Sequence, residues 1–182
     1  MKTLEEQLAA AGLTVFGCCE RLSADGADLL QSAPLLQDMT AAEVDILGAA
    51  MLLVRAQPGQ ALIREGEVGE WMLLLLKGTA EVSKRVNPPA GAADKTPIHS
   101  RIAVIRRGAS LGEMSMLDSE PRYASCTAIE AVEAGILGRR AIALLIRDHP
   151  GVGAKLLVKL TQMMAQRLRN SSNQLVKLLQ KN

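Results

Sequence analysis

The pattern of hydrophobic and polar positions divides the chain into three parts. Residues 1–35 have a helical composition broken by glycines and a proline. Thr40 followed by Glu43 has the spacing of a capping box, which predicts a short helix from about Ala41 to Met51. Beyond that helix the pattern first becomes strand-like and then, near the carboxyl terminus, helical again.

The middle of the chain is a series of short apolar stretches separated by glycine and proline turns, a pattern typical of an antiparallel sandwich or barrel. Asn87–Ser100 contains three prolines and is expected to be an exposed loop, and Arg140–Asp148 is expected to be a short helix. The predicted strands are Leu52–Ala56, Ala61–Arg64, Trp71–Lys77, Thr79–Lys84, Arg101–Arg106, Tyr123–Ala128 and Ala131–Leu137.

A long helix is predicted from Pro150, which suits a first helical turn, to Lys181. One side of it forms a heptad seam, made up of Leu157, Met164, Ser171 and Leu178 together with Thr161, Leu168 and Leu175. A seam of this length requires a partner surface. The β domain of the same chain could cover part of it, but a helix pair across a homodimer fits the pattern better.

The amino-acid composition indicates which classes of protein the sequence can belong to. Hydrophobic residues make up 48% of the chain and charged residues 22%, which indicates a folded globular protein. Trp71, Tyr123 and Phe16 are the only aromatic residues, too few for a surface that stacks the bases of a single-stranded nucleic acid. The amino terminus lacks a signal core, and the longest apolar run, Met72–Leu76, cannot cross a bilayer. A cytoplasmic protein without membrane contact is therefore expected.

The three cysteines and two histidines are not spaced as the ligands of a metal site usually are. Cys18 and Cys19 are adjacent, Cys126 is far away, and no CxxC pair is present, so neither a zinc site nor an iron–sulfur cluster is expected. His99 falls in the predicted exposed loop and His149 at a helix end, neither of which suits a haem ligand. No paired carboxylates or nucleophile–base signature stands out, which argues against an enzyme.

Charge is distributed unevenly between the two ends of the chain. Residues 1–50 carry eight acidic and two basic residues, whereas residues 149–182 carry six basic residues and no acidic one. Solvated helix faces would account for this pattern. Complementary packing of the two ends, or contact with an acidic partner, would account for it as well.

Residues 111–126 carry the candidate chemistry. Gly112 lets the backbone approach a ligand closely, and the helical turn after it presents N–H groups that suit a phosphate. Glu113 is an acceptor suited to a ribose hydroxyl, and Arg122 is a forked cation suited to a phosphodiester. The two side chains could form a nucleotide cradle, or they could pair with each other and close the loop, and the residues alone leave both possibilities open.

The same segment resembles the phosphate-binding cassette of the cyclic-nucleotide-binding family, roughly F-G-E-x-x-L-L-x-x-x-P-R-x-A-[ST]-[VC]. It matches at Gly-Glu, Leu, Pro-Arg, Ala and Ser-Cys, with Leu111 for the aromatic residue and Met116 for the first leucine. Upstream, Gly59, Glu65-Gly66 and Lys77-Gly78 resemble the glycine-marked turns of the family's jelly roll. Downstream, residues 160–168 followed by Ser171-Ser172 are similar to the dimer helix of the CRP/FNR regulators.

The resemblance, which covers about residues 35–180, implies a mainly β fold: an eight-stranded antiparallel jelly roll with N-terminal helices and a long C-terminal dimerisation helix. It implies three parts, namely an N-terminal helical extension (1–35), a cyclic-nucleotide-binding barrel (36–148) and the dimer helix (149–182). It also implies that Glu113 bonds the ribose 2′-hydroxyl and Arg122 the cyclic phosphate of cAMP or a related nucleotide, whereas Ser171 and Ser172 reach the base. The full set of expected ligand-binding residues is Gly112, Glu113, Met114, Ser115, Arg122, Tyr123, Ala124, Ser171 and Ser172.

Two departures from the family pattern shape the expected function. Tyr123 follows the arginine where a small residue is usual, so its ring could cap the base or partly fill the pocket. No residues follow Asn182 to form a winged helix-turn-helix, so sequence-specific DNA binding is not expected. The sequence therefore predicts a homodimeric regulatory sensor that signals to another protein. The alternative is a protein–protein interaction module that keeps the fold but whose pocket is unoccupied.

Overall fold

The computed structural model describes residues 3–87 and 98–180 of the chain. The strands are β1 (Thr14–Cys18), β2 (Leu52–Ala56), β3 (Ala61–Ile63), β4 (Trp71–Lys77), β5 (Ala80–Val86), β6 (Ile98–Ile105), β7 (Ser110–Leu111), β8 (Ser125–Ala128) and β9 (Val132–Gly138). The helices are α1 (Leu4–Ala10), α2 (Ala27–Ser32), α3 (Ala41–Ala49), α4 (Glu113–Asp118), α5 (Arg139–Asp148) and α6 (Pro150–Leu179). Short 3-10 turns lie at Leu22–Asp25 and Pro34–Leu36.

The strands form two antiparallel sheets that face each other. One sheet has the order β1-β2-β9-β4-β7 and the other the order β3-β8-β5-β6. The jelly-roll prediction is confirmed, with nine strands in the described residues instead of eight. Two of the nine, β1 and β7, are absent from the seven predicted strands, and β1 pairs with β2 at the edge of the larger sheet.

Strand β4 explains how one short segment supports two cores. Every residue from Trp71 to Leu76 is buried, because β4 lies inside its sheet and both faces of the sheet are covered. Side chains alternate along a strand, so Trp71, Leu73 and Leu75 enter the core between the sheets. Met72, Leu74 and Leu76 face the core beneath the helices.

The N-terminal extension is not wholly helical, which corrects the sequence-based expectation. Residues Thr14–Cys18 form strand β1 although the surrounding composition is helical. The strand is at a sheet edge and mostly exposed, so it lacks the alternation by which a half-buried strand is detected. Ahead of it, α1 buries Leu8 in the core between the sheets, so the extension covers the barrel of its own chain.

The predicted loop at Asn87–Ser100 also needs correction, because β6 already begins at Ile98. His99 therefore lies in a strand, where it is exposed and opposite Arg85 of β5. Residues 88–97, the centre of the predicted loop, lie outside the described residues. Apolar side chains of β6 are exposed, including Ile98 and Ile102.

The helix predictions near residue 41 and at both C-terminal helices are confirmed. The hydroxyl of Thr40 accepts from the Glu43 amide at 3.3 Å and the Glu43 carboxylate accepts from the Thr40 amide at 2.8 Å, which completes the capping box of α3. The first third of α6 packs on the domain through side chains such as Val152, Leu156 and Leu160. The remainder of α6 is largely exposed.

The acidic and basic ends of the chain pack together, as one of the sequence interpretations proposed. Lys155 of α6 donates to both oxygens of Glu43 at 2.7 and 2.8 Å. Lys159, one turn further along α6, pairs with Asp38. These bonds lower the pKa of both carboxyl groups below their ordinary values of 3.8 and 4.5.

The stability that these carboxylates contribute should depend on pH. A carboxyl group with a lowered pKa in the folded protein stabilises it above the ordinary pKa and loses that contribution as the pH falls below it. We expect the double variant Asp38→Asn with Glu43→Gln to melt about 2 °C below the wild type at pH 7. In circular dichroism melts, the gap should begin to narrow below about pH 5 and should disappear as the pH falls through the lowered pKa values of the two carboxyl groups. The matched control Glu130→Gln, at an exposed turn, should show neither effect, and a gap that widens in acid would contradict the pairing.

The described part of the chain also bears on the expectations about membrane contact and metal binding. None of its helices is long and apolar enough to cross a membrane. Within the same residues, no group of three or more histidines, cysteines or acids is placed to hold a metal ion. The three cysteines are free thiols, with Cys18 exposed and Cys19 and Cys126 buried.

Candidate functional site

Gly112 forms the corner on which the site is built. It takes a left-handed conformation, with φ of 87°, and directly precedes α4. A Cβ at this position would lie 2.6 Å from Nη1 of Arg122 and 3.2 Å from the Trp71 carbonyl oxygen. Both the backbone angle and the space therefore require glycine. The short turn predicted after Gly112 is confirmed as α4, which ends at Asp118 and is followed by a second left-handed residue, Ser119.

Glu113 is the first residue of α4, and its side chain is fully buried. Its Oε1 atom pairs with the guanidinium of Arg167 from α6. Its Oε2 atom is buried and has no hydrogen-bond partner in the residues that the structure describes. A buried carboxylate oxygen without a partner is unfavourable, so this atom is a ready acceptor for a donor from a ligand.

Arg122 lies across the corner and is only 4% exposed. Its Nη1 atom donates to the Gly112 carbonyl at 2.8 Å and its Nη2 atom to the Trp71 carbonyl at 2.7 Å. Burial lowers its pKa from 12.5 to about 10, against the opposing influence of the Glu113 and Glu67 carboxylates. These two bonds use two of the five N–H donors of a guanidinium, and the group remains a cation at neutral pH.

The backbone on either side of Arg122 is fixed to the turn between β3 and β4. The Arg122 amide donates to the Glu67 carbonyl at 2.8 Å, and the Gly66 amide donates to the Arg122 carbonyl at 2.9 Å. This pair of bonds continues the pairing of β3 and β8 beyond the strand ends. The start of the Arg122 side chain is therefore held rigidly.

The structure excludes one of the two arrangements that the sequence left open. Glu113 and Arg122 do not form an ion pair in the described part of the chain, because Glu113 pairs with Arg167 instead. Arg167 was missed as a site residue by the sequence analysis. A signal for it exists, since it precedes Ser171 by one helical turn and so shares a face with it. Its Nη2 atom also donates to the Ser110 carbonyl at 2.6 Å, which fixes α6 to β7.

The other predicted cassette residues differ in their exposure. Ser115 is buried, Ala124 is partly buried and Met114 is exposed. Tyr123 is 63% exposed, and its ring packs against the Lys84 ammonium group at 3.8 Å. The ring therefore does not fill a cavity in this conformation, which argues against the interpretation that Tyr123 occupies the pocket. Capping of a base by the ring stays a prediction.

Ser171 and Ser172 are not brought to the cassette within one chain. Both are exposed on the part of α6 that extends past the barrel. Arg167, one turn earlier, is the α6 residue that meets Glu113. A role for the two serines in binding a base stays a prediction, as do the ligand contacts of the other predicted residues.

A jelly roll that buries a carboxylate and a guanidinium beside a glycine-led helical turn has the architecture of a small-molecule-binding domain. A comparison with models of known protein families identifies the family of this chain. The family model described as the cyclic nucleotide-binding domain matches residues 53–149, which is more than half of the chain. The chain belongs to the cyclic nucleotide-binding domain family.

Similar proteins include regulators and regulatory parts of kinases. The chain is 30% identical over 146 residues to a cGMP-dependent protein kinase of Eimeria tenella, covering 76% of this chain and 13% of the kinase. It is 26% identical over 152 residues to a CRP-like cAMP-activated global transcriptional regulator of Mycobacterium tuberculosis, covering 84% of this chain and 62% of the regulator. The chain thus spans less than two thirds of either relative.

A solved structure matches nearly the whole fold, including the N-terminal extension. The crystal structure of a cyclic nucleotide-binding domain from Methylobacillus flagellatus KT superimposes with a TM-score of 0.78 at 29% sequence identity. The match covers 97% of this chain and 95% of that one. Its extent supports the arrangement of α1 and β1 described above.

Proposed function

We propose that this chain binds a cyclic nucleotide, with cAMP as the expected ligand, and acts as a regulatory sensor and not as an enzyme. One observation carries the proposal: Glu113 and Arg122 are both buried at one glycine corner without forming an ion pair. A ribose 2′-hydroxyl would donate to the free Oε2 atom of Glu113. A cyclic phosphate would accept from the remaining N–H groups of Arg122 and neutralise its charge.

The Glu113–Arg167 pair supplies a route from the ligand to α6. A ribose hydroxyl bound to Oε2 of Glu113 would share the carboxylate with Arg167, which pairs with Oε1, and would so change the strength of that pair; Arg167 also holds β7. A ligand that alters these bonds has different affinities for two positions of α6, which is the requirement for a switch. The exposed part of α6 would pair with that of a second chain and transmit the change to a downstream protein.

The alternative of an interaction module with an unoccupied pocket rested on Tyr123. The exposed position of its ring favours the binding proposal instead. The free thiols fit the reducing cytoplasm, where we expect the protein to act.

The test is calorimetric titration of the purified chain with cAMP and cGMP. We expect a saturable signal with one site per chain for cAMP. The ligand 2′-deoxy-cAMP, which lacks the hydroxyl proposed to reach Glu113, should bind about tenfold more weakly. Noncyclic 5′-AMP serves as the control for nonspecific binding of an anion. The absence of heat with both cyclic nucleotides would refute the proposal.

A further inference from the structure

Trp71 holds Arg122 in two ways. It is the only tryptophan in the chain, is 4% exposed and belongs to the core between the sheets, so core packing is its evident role. Its carbonyl oxygen accepts from Nη2 of Arg122 at 2.7 Å. In addition, the Cζ atom of Arg122 lies 4.4 Å from the centroid of its ring, within the range of a cation–π contact.

The partners of the Arg122 guanidinium are neutral groups, and the absence of charge on them affects how the guanidinium can bind an anion. In the part of the chain that the structure describes, no carboxylate lies within 4 Å of its guanidinium. The nearby acids have other partners: Glu70 pairs with Arg139 at 3.4 Å, and Glu67 with Arg64 at 3.9 Å. A carboxylate would orient the guanidinium but would also compete with a phosphate. An aromatic face orients it and leaves its charge available.

Open space beside Arg122 makes an orienting group necessary. A cavity of about 270 Å³ lies between α1 and the turn after β3, and both Trp71 and Arg122 border it. Gly69 borders the same cavity, and a Cβ there would lie 2.6 Å from Nη2 of Arg122. No side chain at position 69 blocks the guanidinium from this direction. Without the ring to stack on, Arg122 could turn into the cavity and lose its orientation.

We propose that Trp71 is a positioning residue for nucleotide binding, which holds the Arg122 guanidinium by ring stacking so that its free N–H groups meet the phosphate. This inference rests on the proposed function for its effect on affinity. Its structural half, the stacking itself, can be measured without any ligand.

The affinity experiment compares Trp71→Phe with Trp71→Leu by calorimetry with cAMP. Both variants keep the backbone carbonyl and both lose core volume, so both should melt at a lower temperature than the wild type. Phenylalanine keeps an aromatic face and should bind cAMP within about threefold of the wild-type Kd. Leucine should bind about tenfold or more weakly. If Trp71 only packs the core, both folded variants will bind with the wild-type Kd and differ only in the active fraction, which would overturn the proposal.

The ligand-free experiment follows the Arg122 Nε–H signal by proton–nitrogen NMR, assigned by its disappearance in Arg122→Leu. Stacking on an aromatic ring should shift this proton upfield in the wild type and in Trp71→Phe, and the shift should vanish in Trp71→Leu. An ordinary position in the wild type would refute the inference whether or not nucleotide binds. A normal upfield shift in a protein that binds neither cAMP nor cGMP would instead refute only the proposed function.

Discussion

Arg122→Leu is expected to abolish detectable cAMP binding while leaving the fold about as stable as that of the wild type. The guanidinium is the cation proposed to meet the phosphate, and removing such a buried partner of an anion lowers affinity by about a hundredfold or more. In calorimetry at micromolar protein the variant should show no saturable heat. Circular dichroism melts should place its Tm within about 5 °C of the wild type.

The small effect on stability follows from opposing contributions. Burial lowers the pKa of Arg122 from 12.5 to about 10 against the opposing influence of Glu113 and Glu67, which corresponds to a net cost of about 3 kcal/mol for the buried charge that the variant removes. Leucine also gains about 1.5 kcal/mol from burial of its own apolar surface. Against these gains, the variant loses the contact with the Trp71 ring and the two bonds to the Gly112 and Trp71 carbonyls, each bond worth about 1.5–3 kcal/mol because the donor is charged. The contributions nearly offset each other.

A matched control separates this effect from a change in net charge. Arg106→Leu makes the same substitution at an exposed position on the turn after β6. It should bind cAMP with the wild-type Kd. Binding by Arg122→Leu within tenfold of the wild type would contradict the role of Arg122, and a fall in Tm above about 10 °C would show that the residue is mainly structural.

The cassette is the part of the site that the sequence predicts well, because its determinants are local. Gly112 needs a left-handed angle, Glu113 follows it directly, and the turn places Arg122 across the same corner. These relations depend on residues at most ten places apart. The chemistry of a glycine, an acid and an arginine in that order predicts that they share one corner, but it does not decide whether the acid and the arginine pair with each other.

The contacts that complete the site are long-range and could not be predicted in the same way. Arg167 reaches Glu113 from 54 positions away, and Trp71 meets Arg122 from 51 positions away. Each depends on how α6 and β4 pack against the cassette, which no local pattern specifies. Strand β1 was missed for another reason, since an exposed edge strand within a helical composition carries neither of the usual periodicities.

The predicted role of Ser171 and Ser172 depends on quaternary structure. Both lie on the exposed part of α6, so a binding role for them requires a partner helix. The sequence predicts such a partner from the heptad seam. A contribution of the two serines to the site would therefore require the predicted dimer.

The double variant Leu168→Glu with Leu175→Glu is expected to convert a homodimer into a monomer. Both leucines belong to the heptad seam, and in the single chain they are 70% and 58% exposed. Apolar side chains repeated along one exposed helix face usually mark an interface. Two carboxylates placed within that interface would be buried without partners, at a free-energy cost of several kcal/mol. Light scattering at micromolar concentration should show the mass of two chains for the wild type and of one for the variant.

The control for this variant is Asn173→Glu, which adds a carboxylate at an exposed position of α6 outside the seam and should remain dimeric. Because the first third of α6 packs on its own barrel, the variant should keep its fold and its melting cooperativity.

If Ser171 or Ser172 of a second chain reaches the base, the monomer should also bind cAMP more weakly than the dimer. A wild-type protein that is monomeric at micromolar concentration would contradict the interface, because the seam would then lack the partner that its spacing predicts.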